Sequence, residues 1–156
     1  MKSHSDAIIG LYERHADRYV DDRARVRWNE SARLIAHCRR QFPQQTWHIA
    51  DMRSLRIDRS FDGILAWDSF FHLAHDDQRN MFPTFARHAA PGAVLMFTSG
   101  TTHGEAIGSY RGEPLYHASL APAEYRNLLG SHGFRVAAHV AEDPDCGGHT
   151  VWLALR

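Results

Sequence analysis

The sequence predicts an α/β fold in which a mostly parallel sheet ends in an antiparallel C-terminal strand and carries helices on both faces. Residues 93–97 form a continuous apolar run, which is typical of a strand buried on both faces, and residues 61–67 are a second strand candidate of mainly apolar composition. A helical pattern over residues 76–88 lies between them and completes a strand–helix–strand unit. The last connection, residues 142–148, has turn composition and is too short for a crossover helix, so the final two strands should pair antiparallel.

The N-terminal part of the chain predicts two helices. Residues 5–22 place apolar and aromatic side chains at three- and four-residue spacing, which is the period of one helix face. A second helix is predicted for residues 30–41, where Leu34 and Cys38 belong to the apolar stripe. Pro43 ends this helix, because proline cannot supply the backbone N–H that a further turn needs.

The rest of the chain alternates between strands and helices. A short strand is predicted at residues 47–50, and a late helix at residues 123–129 precedes strands at 134–140 and 150–155. The stretch 99–120 shows no clear periodicity and contains four glycines, which predicts a long loop. Loops of this length in a compact domain often act as lids or binding loops.

Length and composition describe one ordinary domain. The 156 residues, 44% hydrophobic and 23% charged, fit a single domain over 1–156, with N-terminal helices in 1–42 and strand–helix alternation in 43–156. Eighteen basic side chains balance eighteen acidic ones, so nothing indicates a nucleic-acid or membrane partner. No apolar run approaches the roughly 20 residues of a membrane span, and Cys38 and Cys146 form no CxxC motif. We therefore expect a soluble protein of the reducing cytoplasm, with both cysteines as thiols.

Several segments carry a family pattern when they are taken in order along the chain. They are residues 50–55 (ADMRSL), 61–73 (FDGILAWDSFFHL), 91–97 (PGAVLMF), 124–129 (EYRNLL), 133–134 (GF) and 148–153 (GHTVWL). Together they resemble the middle and end of a class I S-adenosylmethionine-dependent methyltransferase, over residues 31–156. The resemblance implies a truncated Rossmann-like methyltransferase sheet, S-adenosyl-L-methionine as cofactor and a small molecule as substrate.

The resemblance also implies roles for residues that follow the strands. Asp51 would accept a hydrogen bond from the adenine amino group, and Met52 would lie along the adenine ring. Trp67, Asp68 and Ser69 would border the methionine part of the cofactor. These positions agree with the general rule that ligands of open α/β sheets bind outside the carboxyl ends of the strands.

Other residues are candidates for the substrate side of the site. Asp68 and His72 are candidate catalytic residues, as acid or base on the substrate; the alternative is a satisfied polar cluster at a strand end. Glu105 in the long loop is a candidate substrate contact by position, and the candidate substrate-binding residues are Phe71, His72, His103, Tyr110 and His117. Phe71 could instead be a core residue, and the last three could belong to a solvated loop. No set of three or four convergent metal ligands is visible, so we predict no metal site.

One part of the family pattern is missing. A complete member begins with a strand, a glycine-rich turn and a helix, but this sequence has no GxG motif and no glycine between Leu11 and Gly63. A unit of this kind needs about 30 residues, and Glu30 stands near the position of the acid that would bind the ribose. Without the unit, two arrangements are open, and in the first the third strand pairs directly with the fourth. Otherwise an open apolar edge is covered by the N-terminal helices or by a second subunit, which makes a homodimer one predicted state.

Three hypotheses for function follow from this pattern. The first is methyl transfer from S-adenosylmethionine to a small molecule, with cofactor binding impaired by the missing glycine turn. The second is a non-catalytic, truncated methyltransferase-like protein that acts as a dimerising or regulatory module. The third is an internal deletion in the written sequence relative to a functional gene. The fold alone does not decide between them, because one fold supports many functions.

Overall fold

The computed structural model describes residues 32–156, with side chains from residue 34 onward. The helices are α1 (Ala32–Gln41), α2 (His75–His88) and α3 (Pro122–Ser131). The strands are β1 (Phe61–Ala66), β2 (Ala89–Ser99), β3 (Gly104–Tyr110), β4 (Glu113–Ser119), β5 (Arg135–Asp143) and β6 (His149–Leu155). Short 3-10 turns occupy Met52–Ser54, Phe70–His72 and Pro144–Cys146. The predicted helix at 5–22 and Glu30 lie outside the described residues.

The main sheet has four strands in the order β1-β2-β6-β5. β1 and β2 pair parallel, and β6 is antiparallel to both of its neighbours, so β1, β2 and β5 run in the same direction. The reversal before β6 is made at Gly147 and Gly148, whose φ angles of 68° and 78° are left-handed and favour glycine. The predicted α/β fold, with a mostly parallel sheet and an antiparallel C-terminal strand, is confirmed.

One face of this sheet carries the hydrophobic core. Phe97 on β2 and Trp152 on β6 stack with ring centroids 5.8 Å apart, and both are fully buried. Phe82 of α2 and Tyr125 of α3 pack against Phe97, at centroid distances of 6.2 and 5.5 Å. Each such burial contributes roughly 1.5–3 kcal/mol, so these aromatic contacts hold both helices on the same face of the sheet.

A buried polar network connects β4 to the helices α2 and α3. The Gln78 side-chain amide donates to the carbonyl oxygens of Leu73 and Ala118, at 2.8 and 2.9 Å. The Tyr125 hydroxyl donates to Gln78 Oε1 at 2.5 Å and accepts from the Leu120 N–H at 3.0 Å. Because Ala118 lies on β4, this network fixes β4 against α2 and α3.

The predicted strand at residues 47–50 is wrong, because these residues form no strand. The Trp47 indole N–H donates to the Phe42 carbonyl, and the Arg39 guanidinium donates to the Trp47 carbonyl, both at 3.1 Å. The segment is therefore tied to the end of α1, and Ile49 remains 57% exposed. Of the described strands, β1 pairs only with β2, which agrees with the predicted open edge rather than with a smaller closed sheet.

The predicted long loop at residues 99–120 is also wrong, because it forms the hairpin β3–β4. The turn is made by Arg111 and Gly112, whose φ angles of 52° and 81° are both left-handed, as in the tight turns that hairpins prefer. β3 is exposed at five consecutive positions, so it lacks the apolar alternation by which a strand is recognised in a sequence. Over the described residues, no helix is long and apolar enough to cross a membrane.

Candidate active site

The candidate site lies at the edge of the sheet where β1 and β2 end. Asp68 follows β1, Ser99 ends β2, and β6 begins at His149. Because β6 is antiparallel to β2, with Ser99 opposite Thr150, its first residues lie at the same edge as the last residues of β2. The fold therefore brings together polar side chains that are about 80 residues apart in the sequence.

Asp68 and His149 form a close pair at this edge. His149 Nε2 lies 2.5 Å from Asp68 Oδ1, and His149 Nδ1 lies 2.7 Å from the carbonyl oxygen of Cys146. Each ring nitrogen thus faces an oxygen atom, which fixes the orientation of the imidazole. The Asp68 side chain is only 6% exposed, whereas His149 is 25% exposed and separates it from solvent.

The backbone and a neighbouring ring hold this pair in position. Asp68 has a left-handed φ of 48°, which is uncommon for a residue other than glycine. Its N–H donates to Thr98 Oγ1 at 2.9 Å. The Trp67 indole packs on the His149 ring at 5.3 Å. Left-handed non-glycine residues that the surrounding structure holds in place are often found at functional sites.

A second group of rings forms the wall beside the hairpin. The His117 ring lies 5.3 Å from Phe71 and 4.8 Å from His72. Burial lowers the pKa of His117, and a hydrogen bond to the Leu115 carbonyl opposes this change. His72 is buried and its Nδ1 lies 2.8 Å from the Tyr116 carbonyl. Since a carbonyl can only accept, the Nδ1 atom of His72 carries the proton and its Nε2 carries the lone pair when the ring is neutral.

The open end of the hairpin carries further polar side chains. His75 and His103 stack at 4.4 Å, and His75 Nε2 contacts the Gly104 carbonyl at 3.1 Å. The Tyr116 hydroxyl donates to Glu105 at 2.7 Å. Burial raises the pKa of Tyr116, and the bond to Glu105 raises it further, so the phenol stays protonated and remains a donor.

Beside these groups lies a cavity of about 590 Å³, here called the edge cavity. Its walls come from the end of β2 and the loop after it, from the open end of the hairpin, and from the start of β6. The side chains that give it chemical character are Phe71, His103, Glu105, His117, Glu142 and His149. The volume lies within the usual range of small-molecule sites, about 300–1,000 Å³.

The sequence-predicted site residues divide into two groups in the structure. Phe71, His103 and His117 line the edge cavity, and His72 contacts two of these rings. Trp67 and Asp68 contact His149 at the same edge, and Ser69 follows them. Tyr110 lies at the opposite end of the hairpin, opposite Glu113 and beside the turn.

Asp51 and Met52 do not line the edge cavity. The Asp51 carboxylate accepts the Arg53 N–H at 2.9 Å and also binds the Arg53 guanidinium, with a shortest contact of 2.5 Å. The Arg53 guanidinium also lies 3.5 Å from the Asp77 carboxylate. Met52 is buried in the core. The adenine roles that the resemblance implies for both residues remain predictions.

Sequence reasoning missed His149 as a member of the site. The missed signal is the pair of glycines before it: two consecutive left-handed residues fix the direction in which the chain enters β6. Glu142 was also missed, because its placement depends on the end of β5. Over the described residues, no group of three histidine, cysteine or acidic side chains could hold a metal ion.

Comparison with solved structures identifies the fold. The chain is similar to DesVI from Streptomyces venezuelae, with a TM-score of 0.64 and 16% identity over 90% of this chain and 78% of that chain. It is similar to CalS10 from Micromonospora echinaspora, an amino pentose methyltransferase with S-adenosylmethionine bound (TM-score 0.65, 15% identity, 99% and 92% covered). The glycopeptide N-methyltransferase MtfA with S-adenosyl-L-homocysteine gives a TM-score of 0.62 at 15% identity, over 80% and 70%. No protein-family model and no curated protein matches the sequence. The likeness shows the fold, which is that of the class I S-adenosylmethionine-dependent methyltransferases.

Proposed function

We propose that this protein transfers the methyl group of S-adenosylmethionine to a small molecule bound in the edge cavity. The observation that carries this proposal is the position of the cavity, at the carboxyl edge of a methyltransferase fold. Ligands of open α/β sheets bind at that edge. The similar structures support a small acceptor, since CalS10 is an amino pentose methyltransferase and MtfA a glycopeptide N-methyltransferase.

The residues after β1 fit the methionine end of the cofactor. Ser69 Oγ is buried and has no hydrogen-bond partner among the described residues, and a buried hydroxyl without a partner costs stability unless a ligand satisfies it. Trp67, Asp68 and Ser69 would hold this end, and Asp51 with Met52 would hold the adenosine end. When bound, the cofactor supplies a methyl carbon on a positively charged sulfur, which a nucleophile displaces.

The chain itself contributes orientation and charge to this reaction. Asp68, positioned by His149, places a carboxylate at the strand end, where it favours a nearby positive charge. The Nε2 lone pair of His72 makes that residue the candidate base for an acceptor that must lose a proton. Phe71 and His117 form a wall against which the acceptor is held, and alignment is the main requirement of a direct methyl displacement.

A second candidate function is the non-catalytic one. The observation that favours it is the absence of glycine between Leu11 and Gly63, which removes the turn that lets the backbone approach the cofactor. The chain would then act as a dimerising or regulatory module. The edge of β1 would be the contact surface of a homodimer, since it faces no described strand.

Calorimetric titration with S-adenosylmethionine and S-adenosylhomocysteine separates the two functions. For the methyltransferase we expect a dissociation constant on the order of 10 μM, weakened about tenfold in Ser69→Ala by loss of one hydrogen bond. The control Ser60→Ala, at the opposite end of β1 and exposed, should bind like the wild type.

Absence of binding by a protein whose circular dichroism shows a folded chain would refute cofactor-dependent methyl transfer by this chain. Light scattering then tests the alternative. A stable dimer supports the dimerising module, whereas a monomer that binds neither ligand leaves no support for either function.

A further inference from the structure

The charges that line the edge cavity have one sign. Among its described lining residues, the side chains with a formal charge at neutral pH are Glu105 and Glu142, and that described lining contains no lysine or arginine. Two carboxylates at one cavity raise the local concentration of cations and lower that of anions. A ligand that carries a positive charge is therefore favoured over a neutral or anionic one of the same shape.

The two carboxylates approach the cavity from different elements. Glu105 is on β3, where the Tyr116 hydroxyl donates to its Oε1 at 2.7 Å. Glu142 is near the end of β5, where its N–H donates to Thr150 Oγ1 at 3.2 Å. Glu105 is 55% exposed, so each contribution is moderate and screened by solvent. The preference requires both carboxylates.

The uncharged part of the wall also suits a cation. The rings of Phe71 and His117, with centroids 5.3 Å apart, both line the cavity, and an aromatic ring attracts an ammonium group that approaches its face within about 6 Å. Burial lowers the pKa of His117, so this ring is mainly neutral at pH 7 and adds no competing positive charge.

We propose that the edge cavity binds an amine, in its ammonium form, as the methyl acceptor, with Glu105 and Glu142 facing the positive charge. This inference rests on the proposed methyl transfer. The bound ammonium loses one proton, for which His72 is the candidate base, and exposes the nitrogen lone pair. The nitrogen–carbon bond then forms while the carbon–sulfur bond of S-adenosylmethionine breaks. The positive charge passes from sulfur to nitrogen, and S-adenosylhomocysteine is the second product.

The test uses ligand series that differ only in charge. Saturation-transfer NMR titrations of the full chain would compare 2-phenylethylamine with 2-phenylethanol and 3-phenylpropionate, and glucosamine with glucose and glucuronate. In at least one series we expect the amine to bind at least about tenfold more tightly than the alcohol, and the carboxylate to bind most weakly. Equal binding of amine and alcohol, tighter binding of the carboxylate, or no binding by any probe at about 10 mM overturns the proposal.

Matched variants assign the preference to the two carboxylates. In the double variant Glu105→Gln/Glu142→Gln, the affinity for the amine should fall to within about twofold of the affinity for the alcohol. The control Asp58→Asn/Asp62→Asn removes two exposed charges before and at the start of β1, the opposite end of the sheet, and should keep the full preference. A loss of preference in the control, or none in the double glutamine variant, contradicts the assignment.

A titration with S-adenosylhomocysteine in the same samples separates this inference from the proposed function. Amine preference without cofactor binding would refute the methyl transfer and leave the cation site standing. Cofactor binding without amine preference would refute the amine and leave the methyl transfer standing.

Discussion

Tyr125→Phe should destabilise the fold by about 2–6 kcal/mol, because it removes the hydroxyl at the centre of the network that holds β4. That hydroxyl donates to Gln78 Oε1 at 2.5 Å and accepts the Leu120 N–H at 3.0 Å, and all three residues are fully buried. Removing it leaves one buried acceptor and one buried donor without this partner, each at a cost of about 1–3 kcal/mol. The Phe ring fills the same space, so no cavity term adds to this figure.

Urea denaturation followed by tryptophan fluorescence measures this change. The midpoint should fall with no change in the slope of the unfolding free energy against urea, because the surface exposed on unfolding stays the same. Tyr110→Phe is the control, since it removes a hydroxyl at the tip of the hairpin and should cost less than about 0.5 kcal/mol. A Tyr125→Phe protein within that same margin of the wild type would refute the role given to the network.

Two further predictions concern the hairpin. Burial lowers the pKa of His117 below its ordinary 6.5. The contribution of this ring to the free energy of unfolding is therefore fully present above pH 6.5, and it is lost as the pH falls below 6.5 towards the lower pKa of the folded state. In His117→Asn the urea midpoint should therefore fall less steeply between about pH 7.5 and 5 than in the wild type. The control His48→Asn changes an exposed histidine and should keep the wild-type pH dependence. An unchanged pH dependence in His117→Asn would contradict the role given to His117. Gly112→Ala should cost about 1 kcal/mol, because Gly112 has a φ of 81° in the turn. Gly104→Ala is its control, since an added Cβ meets nothing there within 4 Å; equal urea midpoints for the two variants would show that the turn conformation does not matter.

The sequence predicted the elements whose evidence is local. β1 and β2 were recognisable because each contains a mainly apolar run of strand length. β2 begins earlier than predicted, at Ala89, because the sheet accommodates Pro91 and Gly92 at a register shift between the β1 and β2 pairings. A proline–glycine pair that reads as a turn can therefore lie within a strand.

The errors arose where structure depends on distant partners. Residues 47–50 have the composition of a strand, but a strand also needs a neighbour, and Trp47 is tied instead to Phe42. β3 has no apolar face, so only its pairing with β4 makes it a strand. The contact between Asp68 and His149 depends on the closing of the sheet by β6, which no local pattern encodes.

Acceptor binding and cofactor binding rest on different parts of this chain, so they need not survive together. The edge cavity is supported by β2, β6 and the hairpin, which Gln78 and Tyr125 anchor to the helices. The proposed cofactor side has Ser69 and Asp68 at the end of β1, but the sequence offers no glycine turn beside them. Because the cavity needs nothing from that turn, its preference for an amine is expected even in a protein that binds S-adenosylmethionine weakly. A cavity that discriminates amines only when S-adenosylhomocysteine is present would instead show that the cofactor completes its wall.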